Sequence, residues 1–262
     1  MIQKVKAIIN AFGGEETVLI YQMGKVGSTS LELALSDVNH FHTLYDNPPC
    51  YIHRERRSRF RHFLKMMGSA LKRLLIRRRK RVKIVSLVRE PYGRNVSMFF
   101  QDLPYWMIKY QEINRYDSRE EGLGFLFDTF NEVYDHRYFD SWFDRELKRL
   151  TGIDIFTHPF DRERGCQVIC QGRYEVMLIK LEKMASLQSE IEAFVGYPFE
   201  MRQSNVGEQK WYACLYREFR ERYTPANAYL EGLYDTRTVR HFYSDEEIEG
   251  FRQKYLGRAA DR

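Results

Sequence analysis

The chain has 262 residues, of which 42 are Lys or Arg and 36 are Asp or Glu, so its formal net charge is +6. A hydrophobic content of 44% and a charged content of 30% exclude a disordered chain and a polytopic membrane protein. This length can bury a core as one domain, and no repeat or low-complexity linker interrupts it, so we expect a single domain over residues 1–262.

The positive charge is concentrated in one segment. Residues 51–83 contain 14 Lys or Arg and one acid, whereas the rest of the chain contains 28 basic and 35 acidic residues. We therefore interpret the protein as mildly acidic with a basic helical insertion around residues 53–81. No apolar run of 18 residues and no signal-like amino terminus is found, and the four cysteines are scattered. These features favour a cytoplasmic protein with reduced thiols.

Hydrophobic patterning predicts strands that alternate with helices. Such alternation predicts an α/β fold with a mainly parallel central sheet that helices cover on both faces. The predicted strands are Thr17–Tyr21, Val38–Leu44, Val82–Val88, Gln167–Ile169 and Val176–Leu181. The predicted helices are Ser28–Ser36, His53–Arg79, Pro91–Gln101, Leu187–Val195, Glu208–Tyr223 and Asp245–Tyr255, the last with Ser244 as its N-cap, together with a helical, aromatic-rich middle at Tyr105–Leu150.

A glycine-containing turn follows the first predicted strand and reads Gly24-Lys25-Val26-Gly27. Glycine lets a backbone turn sharply and bring its N–H groups close to an anion, and a helix that begins after such a turn adds unpaired N–H donors. Lys25 supplies a point charge. The hydroxyl groups that follow, Ser28, Thr29 and Ser30, add further donors, so the segment predicts a phosphate-binding site. The alternative is a tight strand-to-helix turn without a ligand.

The turn resembles a P-loop but departs from the version that binds nucleoside triphosphates. That version places its lysine after the second glycine, whereas Lys25 precedes Gly27. Arg89 also stands at the end of the strand Val82–Val88, where an aspartate would hold Mg²⁺. We therefore expect a phosphate-containing ligand that needs no metal.

A second anion site is predicted where the strand Val82–Val88 ends. Arg89 leaves the carboxyl end of this strand, and Ser97 lies about two turns into the next predicted helix. Ligands of parallel α/β proteins bind at this edge of the sheet, and a guanidinium with a hydroxyl suits a phosphate. The alternative is that Arg89 has a capping or salt-bridging role.

Together the two segments resemble those of sulfotransferases that use 3′-phosphoadenosine 5′-phosphosulfate (PAPS). In that family, [PQ]-x-[TG]-[GK]-x-[GA]-[ST]-[ST] contacts the 5′-phosphosulfate, and R-[DEN]-P-x-x-R-x-x-S-x-[FY] contacts the 3′-phosphate. Arg89-Glu90-Pro91, Arg94 and Ser97-Met98-Phe99 match the second motif. The resemblance implies a P-loop-like three-layer fold and PAPS as co-substrate. It also implies cofactor contacts from Gly24, Lys25, Gly27, Ser28, Thr29, Ser30, Arg89 and Ser97.

Later segments resemble bacterial members of the same superfamily, in particular capsular polysaccharide synthesis proteins. Asn205, Lys210-Trp211-Tyr212 and the stretch His241–Ile248 carry this likeness. The R-K-G-x-x-G-D-W-K loop of cytosolic sulfotransferases is absent, and Asn205–Trp211 is a candidate replacement. Lys210 would then contact a phosphate and Trp211 would stack near the adenine, and core packing is the alternative for Trp211.

The resemblance also implies catalytic roles. Lys25 would neutralise the bridging oxygen as it gains charge, and a histidine or glutamate would accept the proton of the acceptor hydroxyl. His42 is our first candidate for this base and His40 the second, because alternation puts both imidazoles on one face of a short strand. A purely structural role for both is the alternative, and His53, Glu55 and Glu182 are weaker candidates.

The basic segment has three competing uses. It could hold an anionic glycan acceptor, lie on anionic lipid as a peripheral membrane contact, or bind nucleic acid, although no nucleic-acid-binding module is found. A solvated face without a partner is the fourth reading. In each case its apolar stripe is expected to pack on the domain while its cationic face stays in water.

Two functions therefore compete at the level of sequence. The first is transfer of a sulfuryl group from PAPS to an acceptor hydroxyl, most simply that of a polysaccharide. The second is a non-catalytic nucleotide- or polyanion-binding protein on a degenerate sulfotransferase fold. Lys25, Ser28, Arg89 and Ser97 are all present, which favours the enzyme.

Overall fold

The computed structural model describes residues 16–35, 38–45, 59–113, 118–200 and 210–256. Its elements in chain order are β1 (Glu16–Tyr21), α1 (Ser28–Ala34), β2 (Asn39–Phe41), α2 (Arg59–Arg78), β3 (Arg81–Val88), α3 (Pro91–Gln101), α4 (Leu103–Ile113), α5 (Arg119–Glu132), α6 (Tyr138–Trp142), a π-helical turn (Phe143–Lys148), α7 (Arg149–Thr151), a 3-10 helix (Ile155–Thr157), β4 (Cys166–Gln171), β5 (Tyr174–Lys180), a second 3-10 helix (Leu181–Ser186), α8 (Gln188–Val195), α9 (Ala213–Arg222), α10 (Asn227–Tyr234), α11 (Arg237–Phe242) and α12 (Asp245–Leu256).

These elements divide into two compact units. The first takes the described residues of 1–48, 56–89 and 141–204, and the second takes those of 90–140 and 205–262. The expectation of one domain stays a prediction.

The first unit is built on a mixed sheet in the order β2-β1-β3-β5-β4. Three of its four strand pairs are parallel, and β4 is antiparallel to β5. The prediction of a mainly parallel sheet flanked by helices is confirmed. The exception arises because only Gly172 and Arg173 connect β4 to β5, and a two-residue connection joins antiparallel strands only. Apolar side chains bury the central strands on both faces: Val82, Ile84, Val85, Leu87, Val176 and Ile179.

Most predicted elements are confirmed, and the differences have local causes. The strand predicted at Val38–Leu44 is only Asn39–Phe41, and the part of the basic helix before Arg59 lies outside the described residues. The sequence patterns did not predict α10 and α11. These helices have eight and six residues, which is too short for a clear helical period.

The packing face of α2 differs from the expectation. The apolar stripe of the basic helix was expected to pack on the domain, but three of its members, Phe63, Met67 and Leu74, are exposed. Instead the Lys72 ammonium lies 4.9 Å from the centre of the Phe41 ring, and Arg73 donates a hydrogen bond to Leu44 O. Lys and Arg stems carry enough methylene groups to pack on a protein surface, so hydrophobic spacing alone did not identify the buried face.

The second unit has an aromatic core. Three ring pairs are stacked, Phe99 with Trp106 at 5.3 Å between centroids, Phe130 with Tyr134 at 5.6 Å, and Phe219 with Tyr223 at 5.0 Å. Such pairs each contribute about 0.5–1.5 kcal/mol beyond their buried area. The predicted helical middle therefore contributes Trp106, Phe130 and Tyr134 to this core, and the other three rings come from α3 and from α9 and its C-cap.

A buried carboxylate connects α3 to the last helices of this unit. Glu90 is the N-cap of α3, and its oxygens accept hydrogen bonds from Tyr92 N at 2.7 Å and Gly93 N at 2.8 Å. The same oxygens accept from the hydroxyl of Tyr234 at 2.5 Å and from that of Tyr255 at 3.0 Å. Glu90 therefore has a structural role within the segment that resembles the second phosphate motif.

The last helix begins as predicted. Ser244 Oγ accepts from Glu247 N at 3.2 Å, and Ser244 N donates to Glu247 Oε2 at 2.9 Å, which is a capping box. Within the part of the chain that the structure describes, no helix has the length and apolar character needed to cross a membrane.

A buried histidine in the second unit makes stability sensitive to pH. His136 donates from Nε2 to Phe130 O at 2.6 Å, and its Nδ1 accepts from the Tyr229 hydroxyl at 2.8 Å. Burial is the main cause that lowers the pKa of His136 below its usual 6.5. The folded protein therefore keeps this ring neutral at a pH where the unfolded chain protonates it.

We predict that the free energy of unfolding falls as the pH is lowered from about 6.5, because the unfolded state then binds more protons. One histidine contributes at most about 1.4 kcal/mol per pH unit. Urea unfolding from pH 5 to 7.5 measures this slope, and His136→Gln should flatten it. Tyr229→Phe removes a hydrogen bond but keeps the imidazole, so it should lower stability and retain the slope. An unchanged slope in His136→Gln would contradict the assignment.

Candidate functional site

The candidate site lies at the carboxyl edge of the sheet in the first unit. Because β1, β2, β3 and β5 are parallel to one another along the sheet, their carboxyl ends share one edge. Gln22, His42, Arg89 and Leu181 directly follow these four ends. Side chains that are far apart in sequence are thereby gathered at one edge, which is where ligands of α/β sheets bind.

The turn after β1 needs glycine at its end. Lys25 has φ of 71° and Gly27 has φ of 88°, so both lie in the left-handed region. A Cβ on Gly27 would approach Leu181 Cδ1 to 2.3 Å, which is closer than atoms can pack. The backbone of the turn therefore lies against the Leu181 side chain, and an alanine at residue 27 would be strained by its left-handed φ and would displace that side chain.

Gln22 fixes the start of the turn and was not among the predicted site residues. Its side chain is fully buried, its Oε1 accepts from Leu87 N at 3.1 Å, and its backbone N donates to Phe41 O at 3.3 Å. These bonds tie the end of β1 to both neighbouring strands. Its Nε2 is a buried donor with no hydrogen-bond partner, and a buried donor is costly unless an acceptor reaches it. Gln22 occupies the [PQ] position of the first motif, which is the signal that could have identified it.

Arg89 connects the end of β3 to the turn. Its Nη1 donates to Lys25 O at 3.2 Å, and the side chain is half-buried. A guanidinium has five N–H donors, so this bond leaves others for an anion. The capping role considered for Arg89 and a phosphate-binding role are thus compatible, because the residue that braces the turn also adds positive charge beside Lys25.

The hydroxyl-bearing residues begin α1. Gly27 is the N-cap and makes no side-chain capping bond. Thr29 is exposed and Ser30 is half-buried, while the side chain of Ser28 lies outside the described part of the structure. The helix has seven residues and is shorter than the predicted Ser28–Ser36, so we assign anion binding chiefly to the turn and its cations.

The two candidate bases face each other at the end of β2. The His40 and His42 rings meet edge to face with 4.4 Å between their centroids, which agrees with the shared face that alternation predicts. His42 Nδ1 lies 3.1 Å from Gln22 O. A carbonyl only accepts, so neutral His42 carries its proton on Nδ1 and its lone pair on Nε2.

His40 has a carboxylate partner. Its Nδ1 lies 3.2 Å from Glu32 Oε2, and its Nε2 is buried without a hydrogen-bond partner. Burial is the main cause that lowers the pKa of His40, although Glu32 acts in the opposite direction. A neutral imidazole can accept a proton, so the lowered pKa of His40 suits general-base chemistry, and His42 remains a candidate through its geometry. Glu182 is exposed at the start of the second 3-10 helix, and His53 and Glu55 lie outside the described residues.

A second buried carboxylate holds the chain that carries His42. Glu146 lies on the π-helical turn, and it accepts from the Tyr21 hydroxyl, from Leu44 N at 2.7 Å and from Tyr45 N at 3.2 Å. Trp142 Nε1 donates to His42 O at 2.8 Å. Glu146 and Trp142 thus fix the segment just after β2. Sequence reasoning missed both, because π-helical geometry has no simple hydrophobic period.

The remaining predicted site residues belong to the second unit. Ser97 is half-buried in α3. Lys210 Nζ lies 3.4 Å from Gln101 Oε1 and 5.4 Å from the centre of the Tyr212 ring. Trp211 is 68% exposed, so the core-packing alternative for this residue is wrong. Asn205 lies outside the described residues. The first unit therefore brings together Gly24, Lys25, Gly27, Arg89, His40 and His42.

We predict that Gly27→Ala lowers the free energy of unfolding by at least about 2 kcal/mol, because a left-handed alanine costs about 1–2 kcal/mol before any clash with Leu181. Gly68→Ala is the matched control. It lies within α2 with nothing within 4 Å of its added Cβ, so it should stabilise by about 0.5–1 kcal/mol. Thermal unfolding measures both changes, and equal effects would contradict the assignment.

We also predict that Glu146→Ala destabilises the protein by about 3 kcal/mol, because three donors lose a buried acceptor and each costs about 1–3 kcal/mol. Glu146→Gln keeps one acceptor oxygen and should cost less. Glu163→Ala is an exposed control and should change stability by less than about 0.5 kcal/mol. Urea unfolding gives the three values, and a loss in Glu146→Ala no greater than the control would be incompatible with this role.

Residues 119–244 match the model of a family described as "Putative capsular polysaccharide synthesis protein". The matched range contains Glu146, Lys210 and Trp211, whereas the turn at residues 22–27, His42 and Arg89 precede it. No curated protein and no solved structure matches the chain. The sequence of nearly half the chain is therefore similar to a family that is named for capsular polysaccharide synthesis.

Proposed function

We propose that this protein transfers a sulfuryl group from PAPS to a hydroxyl group of a polysaccharide or its precursor. One observation carries the proposal. A left-handed turn that favours glycine at residue 27 places Lys25, whose carbonyl accepts from Arg89, at the carboxyl edge of a mainly parallel sheet, and His40 and His42 lie at the end of the neighbouring strand β2. We propose that this turn binds the phosphate of the donor, as a P-loop does.

The residues of the turn suit an anionic donor. The Gln22 Nε2 donor lacks a partner, the backbone of the turn is left-handed at Lys25 and Gly27, and Arg89 retains N–H donors. The acceptor oxygen would bond to the sulfur of PAPS as the bond between that sulfur and the bridging phosphate oxygen breaks, so that 3′-phosphoadenosine 5′-phosphate leaves. Lys25 and Arg89 would bind the phosphate oxygens, and Lys25 would stabilise the charge that develops on the oxygen that leaves. Ser97, Lys210 and Trp211 are proposed contacts for the rest of the nucleotide.

His42 is the proposed general base. Its tautomer is set by Gln22 O, so Nε2 carries the lone pair that would accept the hydroxyl proton of the acceptor. Trp142 holds the backbone of the same residue, which limits the positions that the imidazole can take. His40 is the second candidate, since its carboxylate partner Glu32 would stabilise the protonated ring.

The acceptor class rests on the family description. A protein of capsular polysaccharide synthesis acts on sugars, and sugars present the hydroxyl groups that sulfuryl transfer requires. A cytoplasmic location, as expected from the sequence, would give access to a nucleotide donor.

We predict that Lys25→Ala lowers kcat by about 10²–10³ and that His42→Ala lowers it by about 10²–10⁴. Transfer of labelled sulfate from PAPS to a panel of polysaccharides and oligosaccharides measures the rate. Titration calorimetry with 3′-phosphoadenosine 5′-phosphate measures nucleotide binding. Lys25→Ala and Arg89→Ala should weaken binding, while His42→Ala should bind as the parent does, because its role is confined to proton transfer.

Lys254→Ala is the matched control for loss of a lysine, since Lys254 is exposed on α12. It should leave both readouts unchanged. Full activity of His42→Ala would reject this base and direct the same test to His40. Nucleotide binding without transfer to any acceptor would favour the non-catalytic alternative, and no binding at millimolar nucleotide would reject both functions.

A further inference from the structure

The helix α2 exposes an apolar stripe to solvent. Phe63 is 58% exposed, Met67 57% and Leu74 48%, and Met66 is exposed beside them. Residues 63, 67 and 74 are spaced by four and seven positions, which places them on one line along a helix. Large apolar side chains that are exposed in a row, rather than singly, mark an interaction surface.

This stripe is not the packing face of the helix. The face that packs on the first unit carries buried Ile76, with Lys72 against Phe41 and Arg73 bound to Leu44 O. Burial lowers the pKa of Lys72, which agrees with its position on the inner face. Since the helix already packs through this face, the apolar stripe on the other side needs a different partner.

Cationic residues lie where the stripe ends. Arg77 and Arg78 are exposed in the last turn of α2, directly after Leu74. Beyond them is an open surface depression of about 470 Å³, called the basic cavity below. Four of its five lining residues are basic: Arg78, Arg79, Lys80, Gly172 and Arg173. Arg173 Nη1 donates to Arg77 O and to Arg79 O, the latter at 3.1 Å, so the basic loop is held in place.

The cavity is at the amino edge of the sheet, away from the candidate site. Arg81 begins β3, and Arg173 immediately precedes β5. Two described acids lie at this edge: Glu16, whose backbone is in register with Arg81, and Glu175, which pairs with Arg81 at 2.5 Å. The lining residues of the cavity include no acid.

We propose that the stripe and the basic cavity form one docking surface for an anionic lipid bilayer. A helix that lies in a membrane interface has an apolar face for the acyl boundary and cationic side chains for the headgroups. Phe63, Met67 and Leu74 would enter the interface, and Arg78 and Lys80 would contact lipid phosphates. This partner goes beyond the proposed function and does not depend on it.

The charge pattern favours a bilayer over the other partners. A nucleic acid or an anionic glycan would use the cations but would leave Phe63 and Met67 in water. A second copy of the chain would cover the apolar stripe, but a two-fold contact brings the same patch from both subunits together. Because α2 contains no acidic residue, such a contact would give Arg77 and Arg78 no anionic partner from that helix. An anionic bilayer satisfies both parts of the surface at once.

Vesicle sedimentation tests the proposal with the full chain. We expect binding to vesicles of phosphatidylcholine with 30% phosphatidylglycerol and much weaker binding to phosphatidylcholine alone. Each cation near the surface changes partitioning about fivefold, so the double variant Arg78→Gln/Lys80→Gln should lose on the order of 25-fold. Arg217→Gln/Lys254→Gln removes the same charge from exposed positions of the second unit and should bind as the parent does.

The apolar stripe is tested separately. Phe63→Ser/Met67→Ser/Leu74→Ser should lose binding to the anionic vesicles, whereas Val168→Ser alters an exposed apolar residue on β4 and should retain it. A tryptophan placed by Met67→Trp should be quenched by lipids brominated on their acyl chains, and one placed by Val168→Trp should not. Circular dichroism confirms that each variant is folded.

Three outcomes would overturn the proposal. The first is equal binding to neutral and anionic vesicles, or binding that neither set of variants reduces. The second is a concentration-dependent dimer that the serine variants abolish, in a protein that does not bind vesicles. The third is tight binding to heparin or DNA without vesicle binding. Because none of these readouts uses PAPS, their failure is distinct from failure of the proposed function.

Discussion

Parallel strand pairing is the constraint on which the candidate site depends. The register of β3 with both β1 and β5 brings three strands to the same edge, and β2 joins them through β1. Gln22, His42 and Arg89 lie 20 to 67 positions apart in the sequence, yet each directly follows a strand end. If one strand slipped by a single residue, its side chains would exchange faces and its exit to the site would move.

Buried polar groups hold this edge in place. Gln22 ties β1 to its neighbours, and Glu146 binds the Tyr21 hydroxyl together with the amides of Leu44 and Tyr45. Lys180, at the end of β5, is fully buried and donates to Arg162 O at 2.6 Å. Each of these groups would be costly to bury unpaired, so their bonds favour one arrangement of the loops over its competitors. The candidate histidines and cations are thus carried on loops whose positions are set by buried bonds rather than by hydrophobic packing alone.

The sequence predicted the elements that have a regular hydrophobic period or a characteristic residue at one end. The strands β1, β3 and β5, the helix that begins at Pro91 and the cap at Ser244 were predicted because their signals are local. The left-handed turn at Gly27 was also foreseeable, since glycine is the residue that tolerates it.

What sequence reasoning missed depends on contacts between distant residues. Glu146 is 125 positions from Tyr21, and Glu90 is 144 from Tyr234, so no window of sequence contains either pair. The antiparallel β4 follows from a two-residue connection, and the buried face of α2 was misjudged because lysine and arginine stems pack where leucines were expected. The spacing of apolar residues correctly predicted that α2 is a helix. It could not show which face of that helix packs on the first unit.

The two cationic regions of the first unit, the basic cavity and the pair Lys25 and Arg89, lie at opposite ends of β3. The eight residues of β3 run from Arg81, beside the basic cavity, to Val88, just before Arg89. At about 3.3 Å per residue, the strand is about 25 Å long. Ions screen exposed charges over about 8 Å at physiological ionic strength, so the basic cavity contributes little to the potential at Lys25 and Arg89. The net charge of +6 therefore describes neither region. One set of cations lies where the sheet begins and can contact a surface, while the other lies where the sheet ends and can bind a small anion, and a change in either set should leave the other electrostatically intact.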